Sequence, residues 1–424
     1  MIEVVRPESI GLCSTRLQRI DHWLQQQIDA QRLAGASVLI GRRGAAGYLG
    51  QAGVREIGSA AAFDAETVVR IYSMTKPVTS VAAMMLYEQG CFQLDDPVAL
   101  YLPEFANMQV WSSGAIDNTV AADQPITIKH LLTHTAGLTY GFMQANPVDA
   151  RYRKEQIEFP GRGGTLAAMV TRLADIPLIA QPGSAWNYSV ATDVLGRLVE
   201  VWSGCSLANY FATNILQPLG MHETAFRVAD NLRDRFAACY TPLRGGGMAS
   251  VAASNPSDDA SQRGGLKLMD SGADSRFLDA NELYSGGGGL TSTIGDYARF
   301  CQMLLNGGTL AGQRLLSPTT VHYMRQNHLP DNRDMAAMGQ PQWSETSYDG
   351  IGFGLGFAVV LDPVKAQIIT SPGEHHWGGA ASTFFWVDPV QDLYCIFLTQ
   401  LMPSSTYPVR RELRTRVYQA IIDL

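Results

Sequence analysis

The signals for β-strands lie at the two ends of this chain, with helical signals between them, and that arrangement narrows the fold more than any other feature. Near the start, "ASVLIGRRG" and "AGYLGQAG" read as two strands joined by a tight turn at Arg43-Gly44. Near the end of the 424 residues, "ASTFFWVDPVQDLYCIFLTQ" reads as strand 381–387, a turn around Asp388-Pro389 and strand 393–400. A helix is expected from about Thr15 to Ala30, with Ile20, Trp23, Leu24 and Ile28 on one face and Ser14 as N-cap. A last helix is expected from about Pro408 to Ile422. The spacing predicts one antiparallel sheet assembled from both chain ends and flanked by the terminal helices, an α/β (α+β) architecture. Residues 1–70 and 290–424 then form a discontinuous sheet domain, and 71–289 an inserted, mainly helical domain. Residues 240–265, "YTPLRGGGMASVAASNPSDDASQRGG", are rich in Gly, Ser, Ala and Asp without a period. They are expected to form a long surface loop over about 240–275.

Composition excludes several function classes. A net charge of -7 argues against a nucleic-acid partner. No segment approaches the roughly 20 apolar residues of a membrane helix, so no membrane partner is expected. The N-terminus lacks a basic region followed by an apolar run, and the six cysteines are widely spaced with no C-x-x-C. Free thiols in a reducing cytoplasm are the expectation. His130 and His134 have H-x3-H spacing, but Leu131 stands where H-E-x-x-H has glutamate and no third ligand is evident. They read as structural histidines near a helix end, and no metal is expected. "SGGGGL" at 285–290 follows no strand of a βαβ unit and reads as a close-packed turn, so no dinucleotide or other cofactor is expected. No serine lies in G-x-S-x-G, which disfavours the nucleophile elbow of the α/β-hydrolases.

Chemistry concentrates in "VRIYSMTKPVTSVAAMM". Val78, Val81, Ala82, Met85 and Leu86 recur at helical spacing and predict a helix with one buried face. Pro77 must lie in the first turn of that helix, which puts Ser73 at or just before its N-terminus. Lys76 is three residues on, within reach of Ser73. Burial and the positive helix end both lower an ammonium pKa, and a neutral amine can take a proton from a serine hydroxyl. An N-cap serine followed by a solvated lysine is the plainer reading of the same residues. The choice of lysine bears on it: Lys76, Lys129, Lys154, Lys267 and Lys365 are the only lysines among 32 basic residues.

The match around S-x-x-K extends well beyond those four residues. Through "SMTK", "ITIKHLLTHTAGL" (126–138), "PGSAWNYSVATDVLGRLVE" (182–200), "GGGGLTSTIGDYARF" (286–300) and "HHWGGAAST" (375–383), the chain resembles the family VIII carboxylesterases. These are serine esterases similar in fold to class C β-lactamases. The resemblance implies a β-lactamase-like fold, Ser73 as nucleophile, Lys76 as general base, and Tyr188 as a second proton carrier. "WGGA" (377–380) matches the edge-strand segment where β-lactamases carry K-T-G. The backbone N–H groups of Ser73 and Ala380 would then form the oxyanion hole, with Gly378 and Gly379 letting the substrate approach the main chain.

Two departures point to the substrate. Trp377 replaces the lysine that would meet a β-lactam carboxylate, and Val190 replaces the asparagine of Y-x-N. An indole and a valine favour neutral, short-chain esters over β-lactams, with no cofactor. A penicillin-recognising enzyme, an acyltransferase and a catalytically inactive homologue are the rival readings. His375 and His376 could line the cleft and are given no catalytic role.

Overall fold

The computed structural model describes residues 2–158, 164–243, 265–280, 282–339 and 348–423. The elements that build and frame the site are, in chain order, α1 (Ser14–Asp29), β1 (Gly35–Arg42), β2 (Ala45–Gly53), α2 (Thr75–Glu88), α3 (Ala191–Ser203) and α4 (Ile294–Leu305). They continue with β3 (Ile351–Phe353), β4 (Ala358–Val360), β5 (His375–Gly378), β6 (Phe384–Asp388), β7 (Leu393–Thr399) and α5 (Val409–Tyr418). The seven strands make one antiparallel sheet in the order β3-β4-β5-β6-β7-β1-β2. Leu39 of β1 stands opposite Leu49 of β2 on one side and Ile396 of β7 on the other, which joins the two chain ends. Arg43 and Gly44 take φ of +52° and +78°, the left-handed pair that a two-residue hairpin turn needs.

Both faces of the sheet are covered. On the outer face Val38, Ile40, Phe384, Trp386 and Phe397 pack with Ile20, Trp23 and Leu24 of α1 and Leu413 and Val417 of α5. On the inner face Leu39, Phe385, Val387, Ile396 and Leu398 join a larger core with α2, α3 and α4. Burial on both faces explains why these strands read as almost continuous apolar runs rather than alternating ones.

Several expectations need correction. Ser14 is the first helical residue of α1, not its cap. The 3-10 turn Pro7–Ile10 brings in Glu8, whose carboxylate accepts from the Ser14 N–H at 2.9 Å and is held at a pKa of about 2 mainly by its bonds to Ser14. Strand β6 begins at Phe384, because residues 379–383 turn back on themselves with Ser382 at φ +66°. The last helix is shorter than expected, Val409–Tyr418. Strand β5 is not an edge strand, since the hairpin β3-β4 lies outside it. α2 is buried all round through Met84 rather than on one face, because α3, the glycine turn at 286–289 and the sheet enclose it. The two ends of the expected 240–275 loop are strands, Cys239–Pro242 paired with Leu266–Asp270. Buried Arg70 anchors them, donating to Ala237 O and Asp270 Oδ2, each at 2.6 Å. Residues 244–264 of that expectation lie outside the described residues. Among the described residues no helix is long and apolar enough to cross a membrane.

α5 is fastened to β5 by charge as well as by packing. Glu374, immediately before β5, has no exposed surface and accepts from Arg414 of α5, from Thr370 and from His376 Nδ1 at 2.7 Å. Breaking such a pair strands a buried carboxylate. Arg414→Ala should therefore lower unfolding free energy by about 3–5 kcal/mol, whereas Arg411→Ala, at an exposed position, should change it by less than about 0.5 kcal/mol. Chemical denaturation of the two variants checks this.

Candidate active site

Ser73 lies in the 3-10 turn Tyr72–Met74 that leads directly into α2. Pro77 is the third residue of the helix, where the first-turn N–H groups have no intrahelical acceptor in any case. Tyr72, just before the serine, has φ +41°, a left-handed conformation unusual for a bulky residue. Its neighbours fix it: the Ile71 N–H bonds Leu290 O, and the Tyr72 ring meets Phe277 edge-on at 5.9 Å. The chain therefore turns sharply at Tyr72 and leaves the Ser73 side chain partly exposed while Met74 and Thr75 are buried.

Lys76 is 1% exposed. Its Nζ reaches three oxygens: Ser73 Oγ at 3.2 Å, Tyr140 Oη at 2.9 Å and Gly287 O at 2.7 Å. Burial pulls its pKa down from 10.5 to about 7, against the opposing charge of Asp193. Asp193 is itself buried, accepts from Ser285 Oγ at 2.5 Å and Gly287 N at 3.1 Å, and has its pKa raised by that burial. Burial therefore makes the neutral amine accessible near neutral pH. Gly287 is required here, because a Cβ would stand 2.5 Å from Asp193 Oδ2.

Tyr188 comes from the segment before α3 and donates its phenol hydrogen to Ser73 Oγ at 2.5 Å. Burial pushes its pKa up, while its contacts with Ser73 and Trp377 pull the other way. Its ring lies 4.6 Å from Lys76 Nζ, 5.1 Å from the Tyr140 ring and 5.5 Å from the Trp377 ring. Trp186 and Phe353 extend the aromatic wall. His134 packs among Trp186, Tyr188 and Phe353, with Nδ1 3.2 Å from Ser189 Oγ. Burial and then the charge on Lys76 hold it neutral.

The 379–383 turn follows β5 and packs on the serine's own segment. A Cβ on Gly379 would lie 2.3 Å from Ile71 O, so only glycine permits this approach. The Gly379 N–H bonds Thr383 O at 2.9 Å and the Ser382 N–H bonds Gly379 O at 3.1 Å. Neither of these two bonds uses the Ala380 N–H.

The structure brings Ser73, Lys76 and Tyr188 together, sets Trp377 against Tyr188, and lays the turn carrying Gly379 and Ala380 beside Ile71. It does not open Val190 to a pocket. That residue caps α3, bonds Thr139 O through its N–H at 3.2 Å and has no exposed surface, so its side chain supports the site from inside the core. Gly378 faces the opposite side of the sheet, toward Arg410. His376 pairs with Glu374 there, and His375 is buried beside Phe357, so neither lines the cleft. His130 completes a capping box with Thr127, accepting the Thr127 N–H on Nδ1, and burial lowers its pKa to about 4. Tyr140, Asp193 and Gly287 were missed by sequence reasoning. Tyr140 stands two residues beyond "ITIKHLLTHTAGL", while Asp193 and Gly287 lie inside "PGSAWNYSVATDVLGRLVE" and "GGGGLTSTIGDYARF", so the signal was membership of, or adjacency to, motifs already recognised.

Residues 20–419 match the Beta-lactamase family model. The chain is 34% identical over 392 residues to Protein Rv1367c of Mycobacterium tuberculosis, covering 90% of this chain and 89% of that one. It is 30% identical over 403 residues to Esterase EstB of Burkholderia gladioli, covering 94% of each. The structure of EstCE1, described as a hydrolase with promiscuous acyltransferase activity, superposes with a TM-score of 0.75 at 29% identity, covering 97% of this chain and 99% of that one. The chain belongs to the Beta-lactamase family. Within it, the chain is a serine carboxylic ester hydrolase of the kind grouped as family VIII esterases.

A buried amine with a depressed pKa carries a stability cost with a definite sign. Between pH 7 and 10.5 the unfolded chain binds the Lys76 proton and the folded chain does not, so stability rises with pH across that window. Below it the full cost remains, on the order of a few kcal/mol. Lys76→Met should accordingly raise the thermal midpoint most at pH 6–7, with the gain shrinking toward pH 10. Thermal unfolding of both proteins across that range checks the sign.

Proposed function

We propose that this enzyme hydrolyses short-chain neutral carboxylic esters through an acyl-enzyme on Ser73, with Lys76 as general base and Tyr188 as proton carrier. The observation that carries the reading is the convergence on one oxygen: Ser73 Oγ lies 3.2 Å from Lys76 Nζ and 2.5 Å from Tyr188 Oη. The neutral Lys76 amine takes the Ser73 proton as Oγ attacks the ester carbonyl. The Ser73 and Ala380 N–H groups hold the resulting oxyanion. Tyr188 then gives its proton to the leaving alkoxide and regains one by way of Lys76. A water molecule repeats the sequence on the acyl-enzyme, releasing the acid and restoring Ser73. Mechanistically the lowered Lys76 pKa supports this reading, since a base titrating near 7 is both present and strong enough at neutral pH.

Trp377 supports the preference for neutral esters. It puts an indole beside Tyr188 at the position where a lysine would meet a β-lactam carboxylate. The aromatic wall also favours acyl transfer to an organic alcohol as a second outcome of the same acyl-enzyme, which matches the description of EstCE1.

Ser73→Ala and Lys76→Ala should each abolish nearly all hydrolysis of p-nitrophenyl butyrate, with the double variant little worse. In the wild type, kcat/KM should rise with pH and reach half its plateau near pH 7, as the amine loses its proton. Lys76→Ala retaining more than about a tenth of the rate, or a flat profile from pH 5 to 9, counts against the base assignment. A fluorophosphonate should label Ser73 stoichiometrically, read by peptide mapping.

Substrate preference gives a separate test. A β-lactam carboxylate left without a partner loses about 1–3 kcal/mol. The kcat/KM for p-nitrophenyl butyrate should therefore exceed that for a chromogenic cephalosporin by at least about fivefold. Trp377→Lys should narrow the gap, and a preference for the cephalosporin would favour the penicillin-recognising reading instead.

A further inference from the structure

The peptide group joining Gly379 to Ala380 carries two opposed functions. Its N–H is the donor assigned above to the oxyanion, and its C=O points toward α5. There Arg410 meets it: Nη2 donates to Gly379 O at 3.0 Å and to Thr383 O at 3.1 Å, the carbonyls at the two ends of the turn. Glycine at 378 makes the room, since a Cβ there would stand 2.5 Å from Arg410 Nη2. The guanidinium lies 5.0 Å from the centre of the Phe384 ring, which keeps it against the sheet. One turn further along α5, Arg414 holds Glu374 at the start of β5. The same helix therefore grips the strand before it begins and again just after it ends.

A peptide plane is rigid, and its trans C=O and N–H point in opposite directions. Fixing the oxygen from behind therefore fixes the direction of the hydrogen in front. A cation on the carbonyl also polarises the amide, and hydrogen bonds in a chain strengthen one another. The arginine charge is close enough to draw the Tyr188 phenol pKa downward as well.

We propose that Arg410 is a positioning residue for acyl transfer: by holding the Gly379 carbonyl it aims and polarises the Ala380 N–H that receives the oxyanion. The inference rests on the acyl-enzyme reading above. Arg410 touches no reacting atom, and its effect falls on the transition state, where the oxyanion is fully developed, rather than on substrate binding.

The test uses the full chain and p-nitrophenyl butyrate. Arg410→Ala should lower kcat by about 10- to 100-fold, as for a misaimed donor and short of the roughly 100- to 1,000-fold of a donor removed outright, with KM within about twofold. Added guanidinium ion at low, non-denaturing concentration should restore part of the lost kcat, which a merely structural role would not produce. Arg411→Ala is the control: Arg411 also donates from α5 to a backbone carbonyl, Gln367 O at 3.1 Å, but at an exposed position away from the turn, and kcat should be unchanged. Should Arg410→Ala not fold, Arg410→Lys and Arg410→Gln take its place, the glutamine variant showing the larger loss because it lacks the charge. A kcat within twofold of wild type in folded Arg410 variants, or a loss seen in KM alone, overturns the proposal. Fluorophosphonate labelling separates the two claims. Labelled Ser73 in the wild type with undiminished kcat in the Arg410 variants removes only the positioning role. No labelling in the wild type removes the acyl-enzyme reading and this proposal with it.

Discussion

The pairing of β1 with β7 is the constraint on which the rest depends. It places Ala36 opposite Thr399 and Arg42 opposite Leu393, closing a loop of more than three hundred residues. Loop closure grows only logarithmically with length, so a large insertion is tolerable once this pair is formed. Formation is secured by burial on both faces, with Val38 and Phe397 toward the terminal helices and Leu39 and Ile396 toward the larger core. A one-residue slip would exchange those two sets, which is why the register is strongly specified. With the ends fixed, the intervening chain must leave the sheet after β2 and return at β3. The serine turn that leads into α2 then lies against β5.

The site built there holds its chemistry as unfavourable electrostatics. An amine with 1% exposure, away from water, is poorly solvated as a cation, and the charge of Asp193 offsets part of this. The surrounding fold tolerates that cost because α2 is packed on every side and cannot move the lysine toward water. The left-handed Tyr72 is a second local cost, placed directly beside the serine. Stability is given up around Ser73 and Lys76, and it is recovered in the two-faced sheet.

α5 links these two regions. Arg414 closes a buried carboxylate network that runs through Glu374, Thr370 and Tyr418 to Asp388 of β6. Arg410, on the same face, reaches the turn after β5. Sheet position and turn geometry are therefore set by one helix at the far end of the chain. This is the outer face of the sheet, so the groups that shape the turn approach it from the side opposite the aromatic wall.

By itself the sequence determined what depends on local pattern. The Arg43-Gly44 hairpin, the strands 35–42 and 393–399, the helix with Pro77 in its first turn and the placing of Ser73 before it all follow from periodicity and from residues with a single backbone use. Strong family motifs carried Tyr188 to within hydrogen-bond distance of Ser73. What depends on which surface meets which was decided by the tertiary structure alone. The all-round burial of α2 and the loss of Val190 into the core are properties of neighbours distant in sequence. So are the strand pair Cys239–Pro242 and Leu266–Asp270 at the two ends of the Gly/Ser-rich segment, anchored by buried Arg70, and the placing of β3 and β4 outside β5. Lys76 shows the division most clearly: its spacing from Ser73 is written in the chain, but its pKa is not. That value comes from desolvation in an enclosing core, offset in part by the charge of Asp193, and burial is a sum over contacts that no local stretch of sequence contains.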